Sequence, residues 1–186
     1  MPFIETEFKE LMIFEPRVFA DSRGYFFESF NKQSFTAAGI NNEFVQDNES
    51  RSQRGVLRGL HYQLNPMAQS KLIRVVEGEV LDVVVDIRVG SPTYGRSFSL
   101  LVSAENKKQL FIPRGFAHGF VVLSDTCIFQ YKCDNYYSKE SEGGIHFNDP
   151  QLNIDWGFDV NNAVVSDKDK VLPLFKDCKN NFVYGG

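Results

Sequence analysis

The feature that most constrains the fold of this chain is a succession of short apolar runs, each cut off by turn residues. Such runs occur at residues 11–14, 25–30, 44–48, 55–63, 71–76, 80–87, 98–102, 109–112, 119–123 and 127–132. Their spacing predicts an all-β fold, a jelly-roll β-sandwich in which two sheets enclose one core. The 18 Phe residues agree, because Phe, Val and Ile favour strands over helices. A short peripheral helix is predicted after Asn31 as N-cap, with Phe35 and Ala38 near helical spacing and Gly39 to stop it. Glu77-Gly78-Glu79 reads as a hairpin turn between the runs 71–76 and 80–87. The run 25–30 carries aromatics at both parities, as a strand buried on two sides or packed against another subunit does.

At 186 residues and 42% hydrophobic, the chain can bury roughly two-thirds of its unfolded surface in one core. Residues 1–186 are therefore expected to form a single domain, with the polar C-terminal segment from about 150 wrapped over the core. A net charge of −4 excludes a broad nucleic-acid surface, since phosphate binding requires clustered excess cations. No apolar run approaches the ~20 residues of a membrane span, and the acidic N-terminus is unlike a signal peptide. Cys127, Cys133 and Cys178 are odd in number and lack C-x-x-C spacing, so reduced thiols and a cytoplasmic home are expected.

The stretch Gly55-Val56-Leu57-Arg58-Gly59-Leu60-His61-Tyr62-Gln63 sets an arginine and a histidine in an apolar strand with two glycines. Polar groups in such a strand are costly unless they meet a ligand, so this stretch is read as the floor of a site. Strict alternation puts Arg58 and His61 on opposite faces. For both to line one site, the chain must bulge or twist sharply near Gly59.

Ile112-Pro113-Arg114-Gly115-Phe116-Ala117-His118 contains P-x-G-x-x-H, which resembles the second motif of the cupins, a jelly-roll superfamily. Metal-bearing cupins supply H-x-H in their first motif, where this chain has His61-Tyr62-Gln63. One histidine short, the set does not bring together the three ligands a divalent site needs, and no metal is expected. Proton transfer by a histidine is then the natural chemistry, worth typically ~10²–10⁴ in rate. A carboxylate on the other ring nitrogen would fix the tautomer; Asp82, Asp86, Asp167 and Asp169 are the candidates. Lys71, after a hairpin-sized loop from His61, begins a strand that could pair with the His61 strand and hold an enolate oxygen. Tyr131 is a candidate acid, and Arg23 and Arg58 are candidate phosphate clamps. Taken alone, the lysine also fits a solvated strand end, the tyrosine a core position and the arginines exposed turn or strand positions.

Together these residues resemble the dTDP-4-dehydrorhamnose 3,5-epimerase family of metal-free cupins. The resemblance rests on Asp21-Ser22-Arg23-Gly24-Tyr25-Phe26-Phe27-Glu28, Phe44-Val45-Gln46-Asp47-Asn48, the stretch from Gly55 to His61, Ser103-Ala104-Glu105-Asn106-Lys107, residues 112–120, Asn135-Tyr136-Tyr137-Ser138 and Ser166-Asp167-Lys168-Asp169. These blocks span nearly the whole chain; the segment after Leu174 matches least. The resemblance implies a cupin-type jelly roll with a few short helices and a cofactor-independent isomerase. Its substrate would be dTDP-4-dehydro-6-deoxy-D-glucose, inverted at C3 and C5 to dTDP-4-dehydro-L-rhamnose.

It further implies that His61 is the base, oriented by Asp169, that Tyr131 returns the proton, and that Lys71 stabilises the enolate. Substrate binding would fall to Arg23, Glu28, Gln46, Asp47, Asn48, Arg58, His118, Glu142 and Lys168, with the aromatics around Phe27 near the thymine. The family pattern is a homodimer whose N-terminal strand crosses to its partner. The rival readings are an epimerase of one position, 3 or 5, on a related dTDP-sugar, and a non-catalytic nucleotide-sugar-binding cupin.

Overall fold

The structure is a computed structural model that describes residues 2–185. In chain order the strands are β1 (Phe3–Glu5), β2 (Met12–Phe14), β3 (Phe19–Asp21) and β4 (Gly24–Phe26). After the helix α1 (Lys32–Ala37) come β5 (Gln46–Gln53), β6 (Val56–Gln63), β7 (Lys71–Glu77), β8 (Glu79–Asp86) and β9 (Ser97–Ser103). Then follow β10 (Gln109–Ile112), β11 (Phe116–Val122), β12 (Thr126–Cys133), β13 (Glu142–Gly144), β14 (Val164–Val165) and the helical turn α2 (Asp167–Lys170).

Two sheets pack face to face. The first has the order β1-β2-β10-β7-β12-β5 and the second β13-β6-β11-β8-β9, with β14 added in parallel to β6. Between them lies a core of Ile73, Val75, Leu110, Ile112 and Phe129 from the first sheet and Val80, Val84, Val102, Phe116 and Phe120 from the second. Each sheet is apolar on its outer face as well. The outer face of the first is covered by α1, whose Phe35 packs on Phe14, Leu72 and Phe111. The outer face of the second, with Leu57, Val83, Val85 and Val121, is covered by Leu152, Trp156, Val165, Phe175 and Phe182 of the C-terminal segment. Burial on both faces explains why β8 and β11 read as nearly continuous apolar runs instead of alternating.

The helix forms as its sequence dictates: the Asn31 side chain accepts from the amides of Gln33 and Ser34, and Gly39 follows at φ +87°. Three expectations need correction. Glu77-Gly78-Glu79 is not a hairpin, because β7 and β8 belong to different sheets and the chain crosses the sandwich there. Gly78 makes the crossing, at φ +80° with no room for a Cβ beside Thr126. Lys71 likewise lies across the sandwich from the His61 strand rather than beside it, because β7 pairs with β10 and β12. The run 25–30 is strand only to Phe26, and β3 and β4 form a separate two-stranded arm.

Candidate active site

Strand β6 contains the feature that builds the site. His61 is paired with His118 and Arg58 with Phe120, so two residues of β6, Gly59 and Leu60, stand opposite Gly119 alone. This bulge resets the alternation: Leu57, Leu60 and Tyr62 all face the outer core, leaving Arg58 and His61 together on the inner face. Gly59 permits it, with φ +120° and a Cβ that would stand 2.5 Å from the Gly119 Cα.

The bulge also frees the Gly59 amide, which donates to Asp169 Oδ2 at 3.2 Å. The other carboxylate oxygen, Oδ1, lies 2.7 Å from His61 Nε2. Asp169 is carried by α2, capped by Ser166, whose hydroxyl accepts the Asp169 amide, and β14 anchors this segment beside Val56 and Leu57. Burial pushes the Asp169 pKa upward, but the hydrogen bond and charge of His61, the Gly59 amide and Ser166 outweigh it and hold the carboxyl below its usual value. The ionised carboxylate only accepts, so His61 donates from Nε2 and carries its lone pair on Nδ1.

His61 opens onto a cavity of about 590 Å³ whose lining includes Lys71, Tyr131, Tyr137, Glu142 and Lys168. Lys71 and Tyr131 come from the opposite sheet, with the lysine Nζ 5.7 Å from the tyrosine ring centre. Burial raises the Tyr131 pKa and lowers that of Lys71. At the rim Lys168 Nζ pairs with Glu142 Oε2 at 2.7 Å. Below, buried His118 has Nε2 2.8 Å from Asp82 Oδ2, and burial holds its pKa below the usual value despite that carboxylate. Of the four candidate carboxylates, Asp169 is the partner of His61. Asp82 serves His118, Asp86 is bound to Arg88, and Asp167 is exposed beside Lys170. Among the described residues no three His, Cys, Asp or Glu side chains converge as metal ligands would.

The remaining expected residues divide by face. Gln46 and Asn48 lie on the inner face of β5, the Asn48 amide reaching both Gln46 and Cys133. Arg58 stands on the inner face with its guanidinium on Ser52 Oγ, at 3.2 and 3.4 Å. Asp47 points to the outer face, paired with Lys132 at 3.0 Å, because it alternates with Gln46 and Asn48. Arg23 sits at the tip of the β3–β4 arm bound to Asp21, with its side chain 88% exposed, and Glu28 accepts from Asn31. Phe27 lies beneath Arg74, which lines the outer face of the first sheet. Neither Arg23, Glu28 nor Phe27 lines the cavity of its own chain. Tyr137 sits in one of the matching blocks without an implied role, and the sequence around Ser52 carries no signal beyond a polar strand.

A jelly-roll sandwich holding an oriented histidine, a tyrosine and a lysine around one open cavity is a cupin-type fold whose cavity carries groups suited to moving protons. The family model for dTDP-4-dehydrorhamnose 3,5-epimerase matches residues 5–177, and the chain belongs to this family of isomerases. The dTDP-4-dehydrorhamnose 3,5-epimerase of Shigella flexneri is 58% identical over 170 residues, 91% of this chain and 93% of the relative. The crystal structure of the Legionella pneumophila dTDP-6-deoxy-D-glucose-3,5-epimerase in complex with dTDP-4-keto-L-rhamnose is 51% identical with a TM-score of 0.90, over 94% of this chain and 93% of that one. A 3'-monoepimerase from Streptomyces bikiniensis in complex with dTDP-quinovose is 34% identical with a TM-score of 0.86, over 92% of this chain and 86% of that one.

Proposed function

We propose that this chain is a dTDP-4-dehydrorhamnose 3,5-epimerase, taking dTDP-4-dehydro-6-deoxy-D-glucose to dTDP-4-dehydro-L-rhamnose. The observation that carries this reading is the His61–Asp169 pair opening onto the same cavity as Tyr131 and Lys71. The C4 ketone acidifies the hydrogens at C3 and C5. His61 Nδ1 takes one of them, and the electron pair moves to the C4 oxygen as an enolate that Lys71 stabilises. Asp169 supports the imidazolium that forms, as a buried carboxylate does for a base that gains charge. Tyr131 then delivers a proton to the opposite face, and the carbon is inverted. Proton exchange with water restores His61 and Tyr131 before the second carbon is treated in the same way.

Arg58, Gln46, Asn48, His118, Glu142 and Lys168 are proposed to hold the substrate, with Arg58 on the diphosphate. Arg23, Glu28 and the aromatics near Phe27 are proposed to serve the cavity of a second protomer in a homodimer. Supporting this are the absence of Arg23, Glu28 and Phe27 from the lining of their own cavity and the exposure of Phe19, Tyr25 and Phe26. Three unbridged cysteines and a nucleotide-sugar ligand support a cytoplasmic location.

A single-position epimerase is the second reading, favoured by the likeness to the 3'-monoepimerase. The higher identity to double epimerases weighs against it. Incubation with dTDP-4-dehydro-6-deoxy-D-glucose and identification of the product by NMR tests the two: the L-rhamno product supports double inversion, and a product inverted at one carbon supports the rival.

A further inference from the structure

Gln63 stands two positions beyond His61 in β6 and so faces the same inner side of the sheet. It is 6% exposed, and its side-chain amide is spent on backbone groups. Both Nε2 hydrogens are donated, one to Met67 O at 2.6 Å and one to Tyr136 O at 3.1 Å, while Oε1 accepts the Ser138 amide at 2.8 Å. With no donor left for a ligand, Gln63 is not itself a donor to the substrate, although it borders the cavity of His61.

What the amide holds is the loop between β12 and β13. The bonds to Tyr136 O and Ser138 N bracket Tyr137 on either side. Apolar packing does little for this loop, since Tyr136 is 62% and Tyr137 57% exposed, and its residues 134–138 belong to no strand or helix. A segment of that kind opens at low cost unless hydrogen bonds tie it down. Tyr137 nevertheless lines the cavity together with Glu142 and Lys168. The third bond of Gln63, to Met67, holds the loop that leads to Lys71, and Gln69 of that loop donates to Asn135 O at 2.8 Å. The strand of His61 and the two loops beside it thus meet on one buried amide. Metal-bearing cupins carry the second histidine of H-x-H at this place, and here the same inner-face position clamps a loop.

We propose that Gln63 is a positioning residue whose amide fixes residues 134–138 so that the Tyr137 side chain forms a wall of the cavity, and that it thereby acts on substrate binding rather than on proton transfer. The proposal rests on the reading of this cavity as the substrate site.

The test uses the full chain. Gln63→Met keeps the length of the side chain and removes all three hydrogen bonds. Chymotrypsin is expected to cut the folded, ligand-free variant after Tyr136 or Tyr137 about tenfold faster than wild type, as the loop opens more often. With dTDP-4-dehydro-6-deoxy-D-glucose, KM should rise about tenfold while kcat stays within about threefold. In Tyr137→Ala, which has already lost the wall, adding Gln63→Met should raise KM by less than about twofold, because two residues acting through one contact are not additive. A cleavage rate like that of wild type, a fall in kcat at unchanged KM, or full additivity overturns the proposal. Should Gln63→Met fail to fold, Gln63→Glu keeps the acceptor for Ser138 and removes both donors, and the same pattern is expected. Failure of the epimerase reading shows separately, as absence of substrate hydrogen exchange in the wild-type protein. That result overturns the substrate half of the proposal with it, whereas the cleavage rates judge the clamp by themselves.

Discussion

Arg58 and His61 are three positions apart in β6 and face the same side of the sheet, because β6 carries one residue more than β11 between the pairs Arg58–Phe120 and His61–His118. The phosphate-binding candidate and the proposed base are thus set by one bulge. The backbone amide this bulge frees also holds the carboxylate that orients the base. Gly59→Ala should therefore fail, since its Cβ would meet the Gly119 Cα at 2.5 Å in a left-handed conformation. A loss of roughly 2–4 kcal/mol in thermal or denaturant unfolding is expected, from overpacking together with backbone strain. Activity should fall further than stability explains.

His61→Ala removes the proposed base and leaves the inner-face residues of β5 and β12 in place. Substrate hydrogen exchange is expected to drop by about 10²–10⁴ while dTDP affinity, followed by calorimetry, stays within a few-fold of wild type. Near-normal turnover would remove His61 from that role.

Tyr131→Phe separates the two half-steps. On the proposed mechanism its hydroxyl returns the proton and does not remove it, so deuterium from solvent should still enter the substrate through His61, but with retained configuration. Inversion is expected to fall by about 10² or more. Equal losses of exchange and inversion would contradict the division of labour between the two residues.

Asp86 illustrates a charge used for the fold. Burial pushes its carboxyl pKa up, but hydrogen bonds from Arg88, Ser91 and Thr93 outweigh this and lower it below 3.8. A carboxyl whose folded pKa is depressed adds stability above its unfolded value, and that contribution is lost as the pH falls through the folded pKa. Asp86→Asn leaves buried Arg88 with the half-exposed Glu10 as its one remaining charged partner among the described residues and should cost at most about 3–5 kcal/mol near neutral pH. Unfolding midpoints compared over a pH series should show the gap between variant and wild type closing in acid, below 3.8.

The strands from residue 98 to 132 were legible because apolar runs and turn residues mark them locally. The need for a bulge at Gly59 followed from the parity of Arg58 and His61. Pairing across the sandwich was not legible. The 71–76 and 80–87 runs look like hairpin partners because Gly78 suits a turn equally whether the chain folds back or changes sheets. Asp169 is 108 positions from His61, and nothing periodic links them. Only the resemblance to a family singled it out from Asp82, Asp86 and Asp167. Asp47 shows the opposite limit: a strand reading with Gln46 and Asn48 on one face necessarily turns Asp47 to the other, where it meets Lys132.

The most direct measurement is hydrogen exchange at the sugar itself. Incubated with dTDP-4-dehydro-6-deoxy-D-glucose in deuterated water, the protein should place deuterium at both C3 and C5, seen by NMR as loss of both proton signals together with the L-rhamno product. Exchange at neither carbon would contradict the assignment of His61, Tyr131 and Lys71 to proton transfer beside a ketone.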